Sequence, residues 1–339
     1  MQIEELAAKT ALVLETNNLR GGADLALVAG SLKRLIVTLG QQSVSLRQLA
    51  QVVITHDGLP EQTCREIVEL AECQIDFVLI PSSSGYYDAK NVGFEKTDAR
   101  RCDYIAFCDA DCVPDSHWLQ QLLTPLLAAQ APAVVAGRTS YAATLAGTAL
   151  TTIDFMYFPS RVPSGGTSNF YANNVVFRRD IFQTYHYQSL NGIYRGHCQV
   201  MGLRLQAAGV PLCYASQAHT THRLPDTKRE AFKLRWMRGQ DSVELTPHLV
   251  HAYLPRKWQW LGRSGPLGPL CVMAVRLTYS LRALNKQDLP PLRGGRWLAT
   301  AGLILGFSAL DTLGALARGI GINTVGRVTA DAQALSYHR

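Results

Sequence analysis

The sequence predicts an α/β protein, with a twisted, mostly parallel sheet flanked by helices and a helical appendage at the carboxyl end. Strand-like and helix-like segments alternate with short links from residue 11 to about residue 130, which is typical of a doubly wound sheet. The strand-like runs are short and largely apolar, as expected of strands that are covered on both faces. The last third changes to basic and long apolar stretches, so a boundary is expected at Pro225.

Short apolar runs bounded by turn-forming residues predict the strands. They cover residues 11–14, 51–55, 75–80, 104–108, 133–136, 172–177 and 211–215. Apolar residues at helical spacing predict helices over residues 25–39, 61–73, 88–99, 116–129 and 201–208. The stretch 165–168 is expected to be a flexible loop. Residues 1–225 are therefore predicted to form one domain, and residues 226–339 a basic, apolar helical region.

The positive charge of the chain is concentrated near its carboxyl end. The net charge is +7 over 339 residues, and residues 226–339 hold 16 Lys and Arg against 7 Asp and Glu, a net +9, which leaves −2 for the rest. This basic region suits an anionic membrane surface, and no nucleic-acid motif accompanies it. The eight cysteines lack CxxC or zinc spacing, and the first residues do not read as a signal peptide, so a cytoplasmic location is expected.

Two acidic residues, Asp109 and Asp111, directly follow the apolar strand over residues 104–108. Open α/β sheets bind ligands at the carboxyl ends of their strands, and carboxylates at i and i+2 of an extended segment point the same way. Two such charges repel each other unless a cation or a proton neutralises them. Mg²⁺ or Mn²⁺ is the natural partner and commonly also binds a substrate phosphate. The alternative is a loop with two solvated carboxylates.

A basic helix is predicted over residues 228–238, and two long apolar stretches follow at 266–284 and 297–317. Each apolar stretch is interrupted by one charge, Arg276 in the first and Asp311 in the second. The uninterrupted part of the second is shorter than the roughly 20 residues that a transmembrane helix needs. We therefore expect helices that lie in the membrane interface, as in a peripheral or monotopic protein on the inner face of the membrane. The alternative is that they pack on the first domain or on a second subunit.

Several segments match, in order and spacing, the pattern of one enzyme family. They are the first strand and turn with Thr16 and Asn18, residues 56–58, residues 85–93, and residues 109–111 with Trp118 at the usual distance. Residues 172–179 and the run from residue 203 to His222 agree with the same pattern. Over residues 11–225 the chain thus resembles the inverting GT-A glycosyltransferases of family two, although Glu15 stands where a proline is usual.

The resemblance implies a Rossmann-like GT-A fold and a metal-dependent enzyme that moves a sugar from a nucleotide-diphosphate sugar to a lipid or envelope-glycan acceptor with inversion. UDP is the expected nucleotide. Mn²⁺ or Mg²⁺ is expected on Asp109, Asp111 and His222, with Asp111 counted among the catalytic residues. The side chains expected to contact the nucleotide-sugar are Thr16, Asn18, Asp57, Lys90, Asn91, Asp109 and Arg235.

Asn174 and Trp236 are expected on the acceptor side. Arg235 and Trp236 resemble the Arg-Trp pair of processive family members, but the Gln of that motif is absent. We therefore expect contact with the diphosphate and stacking on a sugar, without predicting processivity. The alternative is an amphipathic helix with an interfacial Trp.

The sequence departs from the family at the position of the catalytic base. The family places Glu-Asp just before the helix over residues 201–208, and these two positions hold His197 and Cys198 here. His, with a reference pKa of about 6.5, is the more competent base, so His197 is the hypothesis. The alternatives are that another carboxylate, such as Asp241, reaches the site, or that catalysis is degraded.

Two other functions compete with this interpretation. The missing Glu-Asp pair favours a catalytically silent GT-A-like scaffold or binding protein. A nucleotidyltransferase shares the sheet and the carboxylate-bound metal, but it is expected to carry a glycine-rich basic loop near its amino terminus, of which residues 20–22 are a faint version.

Overall fold

One sheet of nine strands organises the protein. The computed structural model describes residues 2–16, 24–155, 165–190, 193, 195–264, 267–285, 289 and 291–322, with the backbone alone for residues 251–253. The strands are β1 (Thr10–Glu15), β2 (Gln51–His56), β3 (Asp76–Leu79), β4 (Tyr104–Asp109), β5 (Cys112–Pro114), β6 (Val134–Tyr141), β7 (Gly166–Thr167), β8 (Asn174–Arg178) and β9 (Leu212–His222).

The strand order is β3-β2-β1-β4-β8-β6-β9-β5, and β7 pairs with β9. The first four strands in this order are parallel to one another, and β6 is parallel to β9. Strand β8 is antiparallel to both of its neighbours, β4 and β6. The predicted fold class, a mostly parallel α/β sheet flanked by helices with a helical carboxyl-terminal region, is confirmed.

The helices follow the predicted alternation. They are α1 (Ile3–Ala7), α2 (Leu25–Gly40), α3 (Glu61–Ala71), α4 (Tyr86–Glu95), α5 (Trp118–Leu123), α6 (Leu145–Asp154), α7 (Arg179–Tyr185), α8 (His197–Ala207), α9 (Lys228–Tyr253), α10 (Leu267–Ala283) and α11 (Gly295–Gly319). Short 3₁₀ helices cover Leu46–Gln48, Thr124–Leu127 and Arg256–Arg263.

Helices cover both faces of the sheet because successive strand residues point to opposite sides. Leu12 belongs to a buried cluster with residues of α2, α3 and α5, whereas its neighbour Val13 belongs to a second cluster with residues of α4, α7 and α8. Residues 105–109 of the central strand β4 are all buried. The apolar run that predicted this strand therefore reflects its position between two layers of helices.

Two local predictions were wrong. Residues 165–168 were expected to form a flexible loop, but Gly166–Thr167 pairs with the start of β9 as β7. The strand predicted over residues 211–215 continues as β9 to His222, because its second half pairs with β6 on one side and β5 on the other. The polar residues of this second half gave no strand signal in the sequence.

The carboxyl-terminal helices pack on one another and on α6. The contact between α9 and α11 is close enough to require glycine. A Cβ atom on Gly239 would lie 1.9 Å from the carbonyl oxygen of Asp311, and one on Gly314 would lie 2.2 Å from the carbonyl oxygen of Trp236. The two helix backbones therefore touch at this crossing.

Helix α11 has the length and apolar composition of a membrane-crossing helix, with a mean hydropathy of 1.5 in its most apolar window. Only 33% of that window is buried, and Leu298, Leu305 and Leu313 are exposed. The helix nevertheless packs against α9, α6 and α10. Packing on the first predicted domain, one of the alternatives for these helices, is therefore observed on one face of α11.

Candidate functional site

The carboxyl ends of the parallel strands bring several predicted residues to one edge of the sheet. Glu15 of β1 is level with Thr55 of β2 and with Asp109 of β4. Thr16, directly after β1, is buried, and its hydroxyl donates to the carbonyl oxygen of Thr55 at 2.8 Å. Asp57 follows β2 at the same edge. Asn18 lies outside the described residues.

A compact cluster of ligand-type side chains occupies this edge. Ligand atoms of Asp109, Asp111, Cys112 and His222 all lie within 4.8 Å of one another. The antiparallel pairing of β5 with β9 creates the cluster, because it sets His222 directly opposite Cys112. The backbone N–H of Arg223 also donates to the carbonyl oxygen of Asp111 at 3.0 Å, which fixes the turn between the two carboxylates.

The ring of His222 is oriented toward the carboxylates. Its Nδ1 lies 2.9 Å from the carbonyl oxygen of Arg223, and because a carbonyl only accepts, Nδ1 carries the hydrogen. The lone pair of the neutral ring is therefore on Nε2, which faces Oδ1 of Asp111 at 3.6 Å. A histidine whose far nitrogen is held by a backbone carbonyl is a common arrangement among metal ligands.

Asp109 already has two partners. Lys90, which is completely buried in α4, places its Nζ 2.6 Å from Oδ1 of Asp109. The hydroxyl of Tyr86 donates to Oδ2 at 2.7 Å, and burial together with the negative charge of Asp109 raises the pKa of this phenol well above its usual value. Lys90 thus neutralises one carboxylate of the pair, whereas Asp111 faces His222.

The residues fit a hard divalent cation. Two carboxylates and a neutral imidazole supply oxygen and nitrogen donors from three different segments. Burial and the neighbouring Cys108 raise the pKa of the Cys112 thiol well above its usual value. Sulfur is also a softer donor than Mg²⁺ or Mn²⁺ prefers. The donor set is then Asp109, Asp111 and His222.

A cleft of about 950 Å³, including its open mouth, extends from this cluster to the carboxyl-terminal helices. Asp109, Tyr86 and Tyr87 line it on the sheet side, and α9 and α10 line it on the other. The charged residues that line it are Asp109, Asp154, Arg195, Arg238, Asp241 and Arg276. The helical region after Pro225 is thus part of the cleft wall.

Asp154, at the end of α6, is held by two arginines. Burial alone would raise its pKa, but the adjacent guanidinium groups of Arg235 and Arg238 hold it well below the usual range. The hydroxyl of Tyr141 donates to the same carboxylate at 2.9 Å. Asp154 is therefore a fixed negative charge that anchors arginines rather than a group that exchanges protons at neutral pH.

Among the described residues that were predicted for the site, only Asp109 and His222 line the cleft. Four of the others have partners elsewhere in the structure. Arg235 is buried in ion pairs with Asp154 and Asp311, so its guanidinium is held away from the cleft lining, and its contact with the diphosphate stays a prediction. The side-chain amide of Asn91 donates to the carbonyl oxygen of Tyr187 and accepts from the backbone N–H of the same residue.

Asn174 is completely buried, and its side chain makes hydrogen bonds within the fold. Its Oδ1 accepts from Trp118 Nε1 at 2.8 Å, and its Nδ2 donates to the carbonyl oxygens of Arg138 and Ala218. The neighbouring Asn173 lines the cleft instead. Trp236 is half-buried and stacks with Phe232 at 6.2 Å between ring centroids, as in the alternative of an amphipathic helix.

His197 does not line the cleft either. Its ring stacks on Tyr87 with the centroids 4.1 Å apart, and its Nδ1 is buried without a hydrogen-bond partner among the described residues. Burial lowers the pKa of His197 to about 4. The adjacent residues Gly196 and Cys198 line the cleft, but burial raises the pKa of the Cys198 thiol to about 11.

Sequence reasoning missed most of the cleft wall. The residues that lacked any assignment include Tyr86, Asp154, Tyr171, Asn173, Arg195 and Arg238. Arg276 did carry a signal, since a single arginine within a long apolar stretch needs a polar environment. That environment is the cleft.

Residues 29–186 match the family model described as "Glycosyl transferase family 2". These 158 residues, a little under half of the 339-residue chain, are similar to family two. The predicted resemblance to the GT-A enzymes of this family is therefore confirmed. None of the curated proteins matches the sequence.

Two solved structures are similar to this family-two fold. One is the mannosyltransferase PcManGT from Pyrobaculum calidifontis in complex with GDP-Man and Mn²⁺, with 13% identity, a TM-score of 0.51, and coverage of 97% of this chain and 84% of that one. The other is S. aureus TarS 1-349, with 11% identity, a TM-score of 0.47, and coverage of 97% and 90%. At this identity the first likeness concerns the fold alone.

Proposed function

We propose that this protein is an inverting, metal-dependent glycosyltransferase that moves a sugar from a nucleoside-diphosphate sugar to a lipid or envelope-glycan acceptor. The observation that supports it best is the trio of Asp109, Asp111 and His222 at the carboxyl edge of the sheet, of which Asp109 and His222 line a cleft. Ligands of open α/β sheets bind at this edge. UDP remains the expected nucleotide because of the resemblance at Asp57.

The donor side of the site is assigned to the sheet edge. Thr16 and Asp57 follow β1 and β2, where a nucleotide base and ribose would lie beside the carboxylates. Mn²⁺ or Mg²⁺, when bound by Asp109, Asp111 and His222, would neutralise negative charge on the diphosphate. Lys90 holds Asp109 in place and adds a buried positive charge 2.6 Å from it.

The acceptor side is assigned to the wall formed by α9, α10 and the segment before β8. Tyr171 and Asn173 offer an aromatic face and an amide, and Arg276 adds a cation. This combination suits a polar acceptor with an anionic group, such as a lipid phosphate or an acidic glycan. Trp236 lies on α9 and does not line the cleft, but it remains our candidate for a contact with the acceptor.

Membrane association is proposed for the carboxyl-terminal region. The 3₁₀ helix Arg256–Arg263 exposes Trp258 by 45% and Trp260 by 56%, next to the cations Arg256 and Lys257. Tryptophan beside basic residues is typical of segments that lie in the interface of an anionic bilayer. We assign the protein to the cytoplasmic face of a membrane, as a peripheral or monotopic protein.

One observation favours a second candidate, a catalytically silent GT-A-like binding protein. The start of α8 carries His197 and Cys198 instead of a carboxylate pair, and neither is a good base in its surroundings. Such a protein would still bind a nucleotide-sugar and a cation, but it would not turn the donor over.

Calorimetry with UDP, with and without Mn²⁺, tests the proposal. Wild type is expected to bind UDP tightly only when Mn²⁺ is present, and Asp111→Asn and His222→Ala are expected to lose that dependence. His219→Ala is the matched control, because His219 lies on the same strand but pairs with Asp115. Equal UDP affinity with and without Mn²⁺ in wild type would contradict the proposal.

Turnover separates the two candidates. The full chain is incubated with Mn²⁺ and a panel of nucleotide-sugars, and released nucleoside diphosphate is measured with water and with a total bacterial lipid extract as acceptors. Release above the rate of the Asp111→Asn variant supports the enzyme. Metal-dependent binding without any release supports the silent binding protein.

A further inference from the structure

The start of α8 is the place where the family carries its acidic pair, and in this chain it holds neither Asp nor Glu. Gly196 precedes the helix with a φ of +104°, and the helix begins at His197. His197 is stacked on Tyr87, and the thiol of Cys198 donates to the hydroxyl of Tyr87 at 3.5 Å. Both side chains thus serve the packing between α8 and α4.

A carboxylate from another helix reaches the same place. Asp241 of α9 is only 2% exposed, and its Oδ2 accepts the backbone N–H of Arg195 at 3.0 Å. Arg195 is two residues before the first residue of α8. The carboxylate of Asp241 therefore lies at the start of α8 although it is 44 positions further along the chain than His197.

The packing of α9 explains this approach. Asp241 and Leu245 are one helical turn apart and share a face of α9. A Cβ atom on Gly196 would lie 2.4 Å from Cδ1 of Leu245, so α9 comes as close to the start of α8 as a glycine allows. The positive φ of Gly196 and this close contact both require glycine at that position.

Asp241 also lines the cleft, together with Asp109 and His222 at the candidate metal cluster. Charged groups from several elements share this lining: Arg195 before α8, Arg238 on its own helix, Asp154 on α6, Arg276 on α10 and His222 on β9. Three of them are arginines, and Asp154 is already engaged with Arg238. Cationic surroundings suit a carboxylate that must be ionised before it can accept a proton.

We propose that Asp241 is the catalytic base of this protein, supplied by α9 in place of the acidic pair that α8 lacks. The oxygen of the acceptor hydroxyl forms a bond to the anomeric carbon while the bond from that carbon to the diphosphate oxygen breaks. The electron pair of the broken bond leaves with the nucleoside diphosphate, and the hydroxyl proton passes to the carboxylate of Asp241. This assignment rests on the proposed glycosyltransferase function.

The replacement changes which part of the chain completes the active site. A base on α9 makes the region after Pro225 necessary for chemistry. A base on α8 would leave that region with a role in attachment or stability alone. Binding of the nucleotide, in contrast, is assigned to the sheet edge and does not involve Asp241.

The experiment compares wild type, Asp241→Asn, His197→Phe and Glu244→Gln in the full chain. Asparagine keeps the size of Asp241 and an oxygen that can accept the N–H of Arg195, but it cannot take up the proton. Phenylalanine keeps the stack on Tyr87 and removes the imidazole. Glu244 pairs with Arg318 on the surface of α9 and is the matched control.

Release of nucleoside diphosphate from the nucleotide-sugar is measured with Mn²⁺, and UDP binding is measured on the same preparations. Asp241→Asn is expected to lower kcat by roughly 10²–10⁴-fold, the usual contribution of a general base, while UDP affinity stays within about threefold. His197→Phe and Glu244→Gln are expected to keep kcat within about threefold of wild type. Asp241→Glu is expected to regain part of the lost rate.

Two results would overturn the assignment of Asp241. One is near-wild-type kcat in Asp241→Asn, and the other is a large loss in His197→Phe with none in Asp241→Asn. A loss of kcat in Asp241→Asn with an equal loss of UDP affinity and no recovery in Asp241→Glu would also count against it, as the sign of a structural role. Failure of the glycosyltransferase proposal is different, because wild type itself would then release no nucleoside diphosphate.

Discussion

Arg235 and Asp311 form a buried, bidentate ion pair where helices α9 and α11 cross. Nε of Arg235 lies 2.6 Å from Oδ1 of Asp311, and the side chains are 2% and 5% exposed. The terminal nitrogen Nη2 of Arg235 donates to Oδ2 of Asp311. Asp154 pairs with the other terminal nitrogen of the same guanidinium. Asp311 is the charge that interrupts the apolar stretch of α11. Its partner is Arg235, the arginine that the sequence analysis expected at the diphosphate.

Removing one member of this pair is expected to destabilise the protein. Arg235→Met leaves Asp311 buried without its counter-ion, which costs about 3–5 kcal/mol in the free energy of unfolding. The double variant Arg235→Met, Asp311→Leu removes both charges and is expected to recover most of that loss. Urea unfolding followed by circular dichroism measures the difference.

The surface pair Arg318–Glu244 provides the comparison, because it joins the same two helices. Its side chains are 23% and 42% exposed, so Arg318→Ala is expected to cost less than about 1 kcal/mol. If Arg235→Met cost no more than Arg318→Ala, the buried pair would not be what holds α9 to α11.

Sequence periodicity was sufficient for the first half of the fold. Strands β1 to β4 and the helices between them are local patterns, since each apolar run is continuous along the chain. Strand β5 has only three residues, and β9 contains polar ones, so both depend on pairing partners far away in sequence. Such pairing leaves no local pattern.

The candidate site divides in the same way. Asp109 and Asp111 follow a strongly apolar strand, and the position of that strand in the sheet fixes theirs. Asp241 and Arg276 reach the cleft only because α9 and α10 fold back over the sheet edge. Arg235 was expected at the diphosphate because its helical surroundings resemble a family motif, whereas its observed partner Asp311 lies 76 residues later.

Lys90 is expected to compete with a divalent cation for the charge of Asp109. In Lys90→Met the carboxylate loses its 2.6 Å partner, and the metal-free protein should lose about 3–5 kcal/mol of stability. A bound cation then neutralises a carboxylate that has no other counter-charge. Mn²⁺ should therefore raise the thermal midpoint more in the variant than in wild type. Differential scanning fluorimetry with and without Mn²⁺ measures both effects.

Lys33→Met is the control for this experiment. Lys33 pairs with Glu66 between α2 and α3, at 2.5 Å, and neither residue belongs to the candidate metal cluster. The stability of Lys33→Met should differ from that of wild type by less than about 1 kcal/mol. Mn²⁺ should raise its thermal midpoint as much as it does in wild type. A response to Mn²⁺ in Lys90→Met equal to that of wild type would indicate that Asp109 does not contact the cation.

His197 is expected to make the protein less stable in mild acid. Its pKa is about 4 in the folded protein and about 6.5 in the unfolded chain, so between these values the unfolded state binds more protons. Stability is therefore fully present above pH 6.5 and falls as the pH is lowered toward 4, by roughly 3 kcal/mol in total. Unfolding in urea at a series of pH values measures this slope.

His197→Phe is expected to flatten the slope between pH 4 and 6.5, because phenylalanine keeps the stack on Tyr87 and has no proton to bind. His186→Phe is the matched variant, because it removes an imidazole that is exposed, and it tests whether the change of slope is specific to His197. An identical slope in wild type and His197→Phe would mean that His197 is protonated as easily in the folded state as in the unfolded chain.

Trp258 and Trp260 are expected to carry binding to anionic bilayers. Replacing both with Ser removes two exposed rings that would enter the interface and should weaken binding to phosphatidylserine vesicles by roughly tenfold or more. Lys257→Gln should weaken it by about fivefold at low salt, near 1 kcal/mol for one cation at such a surface, with a smaller effect at high salt. Vesicle co-sedimentation measures both variants.

Leu79→Ser is the control for general hydrophobicity, because Leu79 is 72% exposed but lies on β3, a strand at the edge of the sheet. It should bind vesicles as wild type does. If Leu79→Ser and the double tryptophan variant lose the same amount, the attraction is nonspecific. If wild type does not sediment with anionic vesicles at any salt concentration, the basic surface and its tryptophans serve a different partner, and the membrane assignment fails.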